Sequence, residues 1–217
     1  MDSSHWTRWH EPYDDPDSYL SARLREVQRQ LRRTLDERRE SNIVLHSICA
    51  GQGRDVLEVL ATHPRGRDVR ARLVELDPDN AGYAEALRAR LSLDNVEVVT
   101  GDAGESDVYA GAVPAQVVLA CGVFGNLSAR DIESTIAWLP RLCDRGAHVI
   151  WTRHRRDPDR TPWMRGLFAA AGFSEIDFAS PSDRMFCVGT HRLDREPLAF
   201  EPGQRVFRFV GDGEQPA

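Results

Sequence analysis

The sequence predicts an α/β protein built on a doubly wound, mostly parallel sheet of seven strands, with an antiparallel strand pair at its C-terminal end and a helix added at its N-terminal end. Between residues 42 and 172, short apolar runs alternate with amphipathic segments, which is typical of parallel strands covered by helices. The last two apolar runs, 173–180 and 185–193, have only a turn between them, so they are expected to pair antiparallel. A separate leucine-rich stripe precedes the first strand.

The added helix begins near Ser18, where either Asp17 or Ser18 can cap it. One apolar face repeats at spacings of three and four residues, with charged and amide side chains on the opposite face. That face consists of Leu20, Leu24, Val27, Leu31 and Leu35. We expect residues 1–40 to form an arm and helix that act as a lid or cap on a domain spanning 41–210, with 211–217 as a flexible tail.

The elements of the domain follow from the alternation. A final run at 204–210 is expected to add an edge strand. The parallel strands are predicted at 42–48, 68–76, 96–100, 115–121 and 147–152. The helices are predicted at 54–63, 79–91, 129–143 and 161–172.

Composition narrows the classes of function. The 217 residues carry a formal net charge of −6, whereas proteins that bind nucleic acid through its phosphates usually present a basic face. No apolar run approaches the ~20 residues of a membrane span, and the N-terminus shows no secretory pattern. The four cysteines are widely spaced and form no metal-binding or redox pair. We therefore expect one cytoplasmic domain without a nucleic-acid or membrane partner.

A glycine-containing loop follows the first strand. Gly51 and Gly53 lie where that strand turns into a helix, at the edge of the sheet where doubly wound proteins bind ligands. Glycine permits positive φ and leaves the backbone open to a ligand, and the N-terminus of the next helix attracts anions. Because a GxG pair also fits an ordinary tight turn, the loop alone leaves both interpretations open.

Acidic residues follow the next two strands. Glu75 lies 24 residues after Gly51, where a carboxylate accepts hydrogen bonds from both ribose hydroxyls of an adenosine cofactor. Asp77 competes for this role, but Pro78 breaks the strand directly after it, which favours Glu75. A solvated loop acid is the alternative. Asp102, after the third strand, is placed to accept a hydrogen bond from an exocyclic amine.

The glycine loop, the ribose acid and the sequence GDA at 101–103 together resemble the motifs of class I S-adenosylmethionine-dependent methyltransferases, a Rossmann-like family that also ends in an antiparallel strand pair. The resemblance runs from about residue 42 to residue 193. It implies S-adenosylmethionine as cofactor and S-adenosylhomocysteine as product. It assigns to the cofactor site Ser47, Cys49, Ala50, Gly51, Gly53, Glu75, Leu76, Asp102, Ala103, Cys121 and Gly122.

The same resemblance implies individual roles. Glu75 holds the ribose, Asp102 holds the adenine amine, and the loop Cys49–Gly53 wraps the methionine part. Phe124 and Asn126, which follow the fourth strand, border the substrate.

Two positions depart from the first motif of the family. Ser47 stands where the family usually has an acid, and Cys49 stands where it has the first glycine. A carboxylate that commonly fixes the methionine end is therefore missing. Asp55, at the start of the following helix, is either a helix cap or a substitute for that carboxylate.

NAD-dependent oxidoreductases are the competing class of adenosine binders. Their fingerprint requires a third small residue three positions after the second glycine, and this chain has Val56 there. They also rarely end in an antiparallel strand pair. The sequence therefore favours S-adenosylmethionine over NAD.

The N-terminal arm, HWTRWHEPYDDP, is rich in aromatic residues and histidines. A segment before the first strand often covers the site in this family, so His10 and Tyr13 are candidate catalytic residues, and Trp9 and Asp14 are candidate substrate contacts. Simple anchoring of the arm by its aromatic side chains is the alternative. A metal site at His5 and His10 is not expected, because no third ligand has a suitable spacing.

A further group follows the fifth strand. Arg153 is a candidate contact for an anionic substrate, and His154 is a candidate catalytic base. A solvated basic turn is the alternative. His46 and His191 lie within predicted strands and are expected to be structural.

The sequence thus predicts a cytoplasmic methyltransferase that uses S-adenosylmethionine, acts on a small molecule and exists as a monomer or homodimer. The alternatives are a methyltransferase of RNA or protein, and a methyltransferase-like domain that binds the cofactor without turnover. No motif identifies the accepting atom.

Overall fold

The computed structural model describes residues 15–210. Its strands are β1 Ile43–Ile48, β2 Val69–Glu75, β3 Val96–Thr100, β4 Ala115–Ala120, β5 Cys143–His154, β6 Phe173–Ala179 and β7 Phe186–Leu193. Its α-helices are α1 Tyr19–Glu37, α2 Arg54–Thr62, α3 Pro78–Arg90, α4 Ala129–Trp138 and α5 Thr161–Ala170. The strands form a seven-stranded sheet in the order β3-β2-β1-β4-β5-β7-β6.

Strand pairing confirms the predicted fold class. Strand β1 pairs in parallel with both β2 and β4, and β3 and β5 extend the parallel sheet on either side. Strand β7 pairs antiparallel with β5 and β6, as the two consecutive apolar runs predicted. The direction of winding reverses at β1, and the crevice at such a switch point is the usual ligand site of a doubly wound sheet.

Helix α1 packs against α2 and β7. Ser18 is its N-cap and accepts the N–H of Ser21, which confirms the predicted start of the helix. Most of the leucine stripe is buried. The buried amide of Gln30 donates to the carbonyl of Val188 and accepts the hydroxyl hydrogen of Thr190. A buried amide with these partners fixes the position of α1 on the sheet.

Residues 204–210 do not form the predicted edge strand. They cross the loops that follow β3 and β4, where they make isolated bridges to Glu105 and Leu127. Gly104 permits this close crossing, because a Cβ at that position would lie 2.4 Å from the carbonyl oxygen of Phe207. Val206 and Phe207 are buried in the core, although the segment joins no strand of the sheet. A segment that joins the sheet and a segment that crosses these loops both have alternating apolar residues, so the apolar pattern alone could not distinguish the two arrangements.

The remaining differences are at the ends of elements. Strand β5 extends from Cys143 to His154, beyond its predicted bounds at both ends. The helix predicted to reach residue 143 ends at Trp138, and Pro140 lies in the 3₁₀ turn that follows. Within residues 15–210, no helix combines the length and apolarity that crossing a membrane requires.

Candidate functional site

The loop between β1 and α2 contains three residues with positive φ: Cys49 at 53°, Gly51 at 55° and Gly53 at 66°. Gly53 is the N-cap of α2, and a Cβ there would lie 2.7 Å from Cδ2 of Leu73. Glycine is therefore required at this position by both backbone conformation and packing. The N–H of Ala50 donates to a carbonyl of β2 and holds the loop against the sheet.

Glu75 lies at the end of β2, directly beside this loop. Its Oε2 accepts the N–H of Gly51 at 2.7 Å, and its Oε1 accepts the N–H of Asp77 at 2.9 Å. Glu75 is 9% exposed, and burial raises the pKa of its carboxyl while the two backbone donors oppose the rise. Each carboxylate oxygen has a second acceptor site, so Glu75 retains the capacity to accept two hydroxyl groups.

Asp77, the competing acid, caps a helix. It is the N-cap of α3 and accepts the N–H groups of Asp79 and Asn80 at 2.9 and 3.1 Å. Leu76 lies between the two acids and is 60% exposed. An exposed leucine next to a buried carboxylate gives this edge of the crevice an apolar surface beside a polar group.

Asp102 follows β3 and is held by two donors. Its Oδ1 accepts the N–H of Gly104 at 2.8 Å, and its Oδ2 accepts a hydrogen from the guanidinium of Arg205. The neighbouring Ala103 is buried, and its carbonyl accepts the hydroxyl hydrogen of Tyr109 at 2.9 Å. Sequence reasoning missed Arg205 because it lies far along the chain and no local motif marks it.

The other side of the glycine loop borders a pocket between α1, the start of α2 and the end of β4. Arg23, Asp55 and Cys121 line this pocket together with the loop Cys49–Gly53. Burial raises the pKa of Asp55 to about 6, and the positive charge of Arg23 opposes the rise. Arg54 also lines the pocket, but its guanidinium donates to Gln52 and Tyr83. The pocket therefore places two side chains of opposite charge, Arg23 and Asp55, next to the glycine loop.

Sequence reasoning also missed Arg23, although the sequence contains a sign of it. Arg23 lies three residues after Leu20 and four before Val27, so it shares the apolar face of α1. It is 7% exposed. A charged residue on the buried face of a helix needs polar surroundings; Arg23 contacts the hydroxyl of Tyr19 and also lines the pocket.

The residues at the two departures from the first motif are not charged. Ser47, which replaces the usual acid, is buried within β1. Burial raises the pKa of the Cys49 and Cys121 thiols well above the usual value. Both thiols are therefore protonated at neutral pH and are poor nucleophiles.

The loop after β4 is held in place by side-chain and backbone contacts. The N–H of Gly122 donates to Oγ1 of Thr152 at 2.8 Å, and Nδ2 of Asn126 donates to the carbonyl of Gly122 at 2.7 Å. Phe124 is fully buried, and the guanidinium of Arg153 donates to its carbonyl. Arg153 is itself 3% exposed. These contacts position the loop, and a contact of Arg153 with a substrate stays a prediction.

His154 ends β5 and borders a surface pocket of about 360 Å³. Its Nδ1 accepts the N–H of Arg156 at 3.3 Å. Burial and the charges of Arg153 and Arg156 lower its pKa, which keeps the imidazole neutral at pH 7. The pocket is lined by Tyr19, His154, Arg156, Asp183, Arg184 and Met185.

His46 and His191 lie within strands β1 and β7 of the sheet. Nε2 of His46 lies 2.8 Å from the carbonyl oxygen of Ala112, and His191 stacks on Phe168 with ring centroids 4.5 Å apart. Burial lowers the pKa of both histidines to about 4. They stabilise the fold as neutral side chains.

The candidate residues of the arm lie outside the described residues. Their roles as catalytic residues or substrate contacts stay predictions from the sequence. They are Trp9, His10, Tyr13 and Asp14.

No protein-family model and no curated protein matches the sequence, but solved structures match its fold. The chain is similar to magnesium protoporphyrin IX methyltransferase from Synechocystis PCC 6803 with bound S-adenosylmethionine, at 14% identity and a TM-score of 0.69, over 88% of this chain and 91% of that one. It is also similar to 1,6-didemethyltoxoflavin-N1-methyltransferase from Burkholderia thailandensis with bound 1,6-didemethyltoxoflavin and S-adenosylhomocysteine, at 18% identity and a TM-score of 0.62, over 88% and 87%.

These similarities confirm the predicted fold. The chain has the fold of class I S-adenosylmethionine-dependent methyltransferases. A further similar structure is the [4+2]-cyclase SpnF, at 14% identity and a TM-score of 0.58, over 78% of this chain and 82% of that one. Because one fold carries different reactions, the function has to be argued from the site.

Proposed function

We propose that this protein binds S-adenosylmethionine in the crevice at β1 and transfers its methyl group to a small-molecule acceptor. The observation that carries the proposal is Glu75, a buried carboxylate at the end of β2 that is bonded to the N–H of Gly51 in the glycine loop. This arrangement matches the requirements of a ribose bound beside a bare backbone turn. The two similar methyltransferases, which contain S-adenosylmethionine or S-adenosylhomocysteine, support the choice of cofactor.

The residues around the crevice fit this cofactor chemically. Glu75 would accept the ribose hydroxyls, the exposed Leu76 would contact the adenine ring, and Asp102 would accept its amine. The loop Cys49–Gly53 would enclose the methionine part, with Gly122 on the side of β4. When bound, the cofactor supplies an electrophilic methyl group on a sulfonium, and S-adenosylhomocysteine remains after transfer.

The pocket beside His154 supports the location of the acceptor. A neutral imidazole at the end of β5 is able to take a proton from an attacking hydroxyl or amine. Arg156 and the ring of Tyr19 would favour an acceptor with an anionic or aromatic group. Arg184 lines the same pocket but is paired with Asp183 at 3.3 Å. His10 and Tyr13 of the arm are the other candidates for proton removal.

The net charge of −6 supports a small molecule over RNA as acceptor. The second candidate is a domain that binds the cofactor without methyl transfer. It is favoured by one observation, the buried Ser47 in place of the usual motif acid, and the cyclase SpnF shows that this fold is not confined to methyltransferases.

Two measurements test the proposal. Calorimetry should give micromolar affinity for S-adenosylmethionine and S-adenosylhomocysteine, equivalent to about −8 kcal/mol, and no binding of NADH. Incubation with methyl-labelled S-adenosylmethionine and a metabolite extract of the source cells should then transfer label to a small molecule. Binding without labelled product would favour the second candidate, and binding of NADH alone would reject both.

A further inference from the structure

The pocket between α1 and α2 contains charges that the adenosine motifs do not explain. Asp55 lies in the first turn of α2, and its Oδ1 accepts the N–H of Val56 at 2.9 Å. The same side chain lines the pocket beside the glycine loop. Its partial burial, and the higher pKa that burial produces, show that the carboxylate is only partly solvated.

Arg23 reaches the same pocket from a different helix. Its guanidinium lies 3.4 Å from the hydroxyl of Tyr19, one turn earlier on α1. Helix α1 is tied to α2 because Nε2 of Gln28 donates to the carbonyl of Arg54 at 3.1 Å. It is tied to the sheet by Gln30. These bonds hold the Arg23 side chain beside the glycine loop.

We propose that Arg23 and Asp55 together recognise the α-amino-acid end of the cofactor. Arg23 donates to the α-carboxylate, and Asp55 accepts hydrogens from the α-ammonium group. The pair takes the place of the motif acid that is absent at Ser47. This inference rests on the proposed function, since it concerns the methionine end of the same ligand.

The chemistry of the pocket favours this ligand group over a purely structural pair. A zwitterion presents one positive and one negative group on the same carbon, and the pocket presents Arg23 and Asp55 beside open backbone. Arg54 lines the pocket as well, but its guanidinium donates to Gln52 and Tyr83. An acid in the first turn of α2 stabilises the N-terminus of the helix through its negative charge. That role needs neither a pocket nor an arginine from α1. The two roles therefore predict different responses to ligands with and without the amino-acid group.

The test compares S-adenosylhomocysteine with 5′-methylthioadenosine, which keeps the adenosine and the thioether but lacks the amino-acid group. Affinities are measured by calorimetry on the full chain. We expect Arg23→Gln and Asp55→Asn each to weaken S-adenosylhomocysteine binding about 10- to 100-fold, because each removes charge-assisted hydrogen bonds. Binding of 5′-methylthioadenosine should change less than about 3-fold.

Matched controls separate this effect from general loss of charge or fold. Arg33→Gln removes an exposed arginine of α1 and should leave the two affinities unchanged. Glu58, an exposed acid of α2, accepts a hydrogen from the amide of Gln28, which ties α1 to α2. The control for loss of an acid is therefore Asp79→Asn, which changes an exposed acid in the first turn of α3 and should leave both affinities unchanged. Arg23→Lys keeps a positive charge and should retain part of the preference for S-adenosylhomocysteine, so the test stands even where Arg23→Gln is unstable.

The outcomes distinguish this inference from the proposed function. Unchanged S-adenosylhomocysteine binding in Asp55→Asn and Arg23→Lys, or equal losses for both ligands, would overturn the role of the pair while leaving the cofactor assignment intact. If the wild-type protein binds neither ligand, the proposed function and this inference both fail.

Discussion

The two halves of the crevice are built in different ways. The half that we propose to bind adenosine, here the adenosine half, contains Glu75 and Asp102, two acids that follow consecutive strands and are fixed by N–H groups two residues further along the chain. The half that we propose to bind the methionine part, here the methionine half, contains Asp55 and the loop Cys49–Gly53 and takes Arg23 from α1, outside the alternation of strands and helices. The side chains of the adenosine half are positioned by the ends of β2 and β3, whereas the position of Arg23 in the methionine half depends on how α1 packs.

Mutations in the two halves should therefore have different effects. A change in the adenosine half should act locally, because the backbone at each strand end is fixed by the sheet. A change in the methionine half should couple cofactor binding to the docking of α1.

Glu75→Ala should produce the largest loss of binding. Two charge-assisted hydrogen bonds to the ribose disappear, so the affinity for S-adenosylhomocysteine and for 5′-methylthioadenosine should fall by about 2–4 kcal/mol in both cases. The free energy of unfolding should fall by about 1–3 kcal/mol, because the N–H groups of Gly51 and Asp77 lose their acceptor. Calorimetry and denaturant unfolding measure the two effects.

Asp79→Ala is the matched control, since Asp79 is exposed on α3 and donates only its backbone N–H to the Asp77 cap. It should bind both ligands normally. Normal ligand binding by Glu75→Ala would show that Glu75 does not bind the ribose.

Asp55→Asn should make the ligand-free protein more stable at neutral pH. The folded pKa of about 6 lies above the usual 3.8, so the folded state binds more protons than the unfolded state between these values and stability falls as pH rises through them. At about 1.4 kcal/mol per pKa unit, the cost reaches about 3 kcal/mol above pH 6. Asparagine removes the cost and keeps an acceptor for the Val56 N–H.

Unfolding curves measured from pH 4 to pH 8 check this prediction. The wild-type protein should lose stability relative to Asp55→Asn across pH 4–6, and the difference should then stay constant. Parallel curves for the two proteins would show that Asp55 does not titrate at a buried site. A variant that is more stable but binds S-adenosylhomocysteine less tightly would show that the methionine half sacrifices stability for binding.

The fold was predicted from the sequence because it depends on local patterns, and the same patterns located the acids that we propose for the adenosine half. The position of Glu75 follows from where β2 ends, and Pro78 marks that end within the sequence. The strand order could not be read directly, but alternating strands and helices leave few arrangements. The run at 204–210 was wrongly predicted as a strand because Val206 and Phe207 are buried without joining the sheet.

The residues that we propose for the methionine half could not all be predicted from local sequence patterns. The sequence placed Asp55 at a helix start and left its role open between cap and ligand. Only the docking of α1 brings Arg23 to the same pocket, and contacts across many residues leave no fixed spacing in a single sequence. The same reason explains why the contact between Arg205 and Asp102 was not predicted.

Gln30→Ala should separate the two halves through the docking of α1. The hydroxyl of Thr190 and the carbonyl of Val188 lose their buried partner, which should cost about 1–3 kcal/mol of unfolding free energy. S-adenosylhomocysteine affinity should fall a few-fold while 5′-methylthioadenosine affinity stays unchanged. Equal changes for the two ligands would mean that α1 supports the whole crevice.

Arg205→Gln should have the smallest effect. Its ion pairs with Asp102 and Glu105 are more than a third exposed, and such pairs contribute less than about 1 kcal/mol. Asp102 keeps its bond to the N–H of Gly104, so affinity for both ligands should stay within about twofold. A large loss measured by calorimetry would instead make residues 204–210 part of the adenosine half.

A crystal structure of the full chain with S-adenosylhomocysteine would test the division of the crevice most directly. We expect ribose hydroxyls within hydrogen-bond distance of the Glu75 carboxylate, with the α-carboxylate contacting Arg23 and the α-ammonium group contacting Asp55. A ligand whose ribose lies away from Glu75, or whose amino-acid end points away from the pocket between α1 and α2, would contradict the division of the crevice into these two halves.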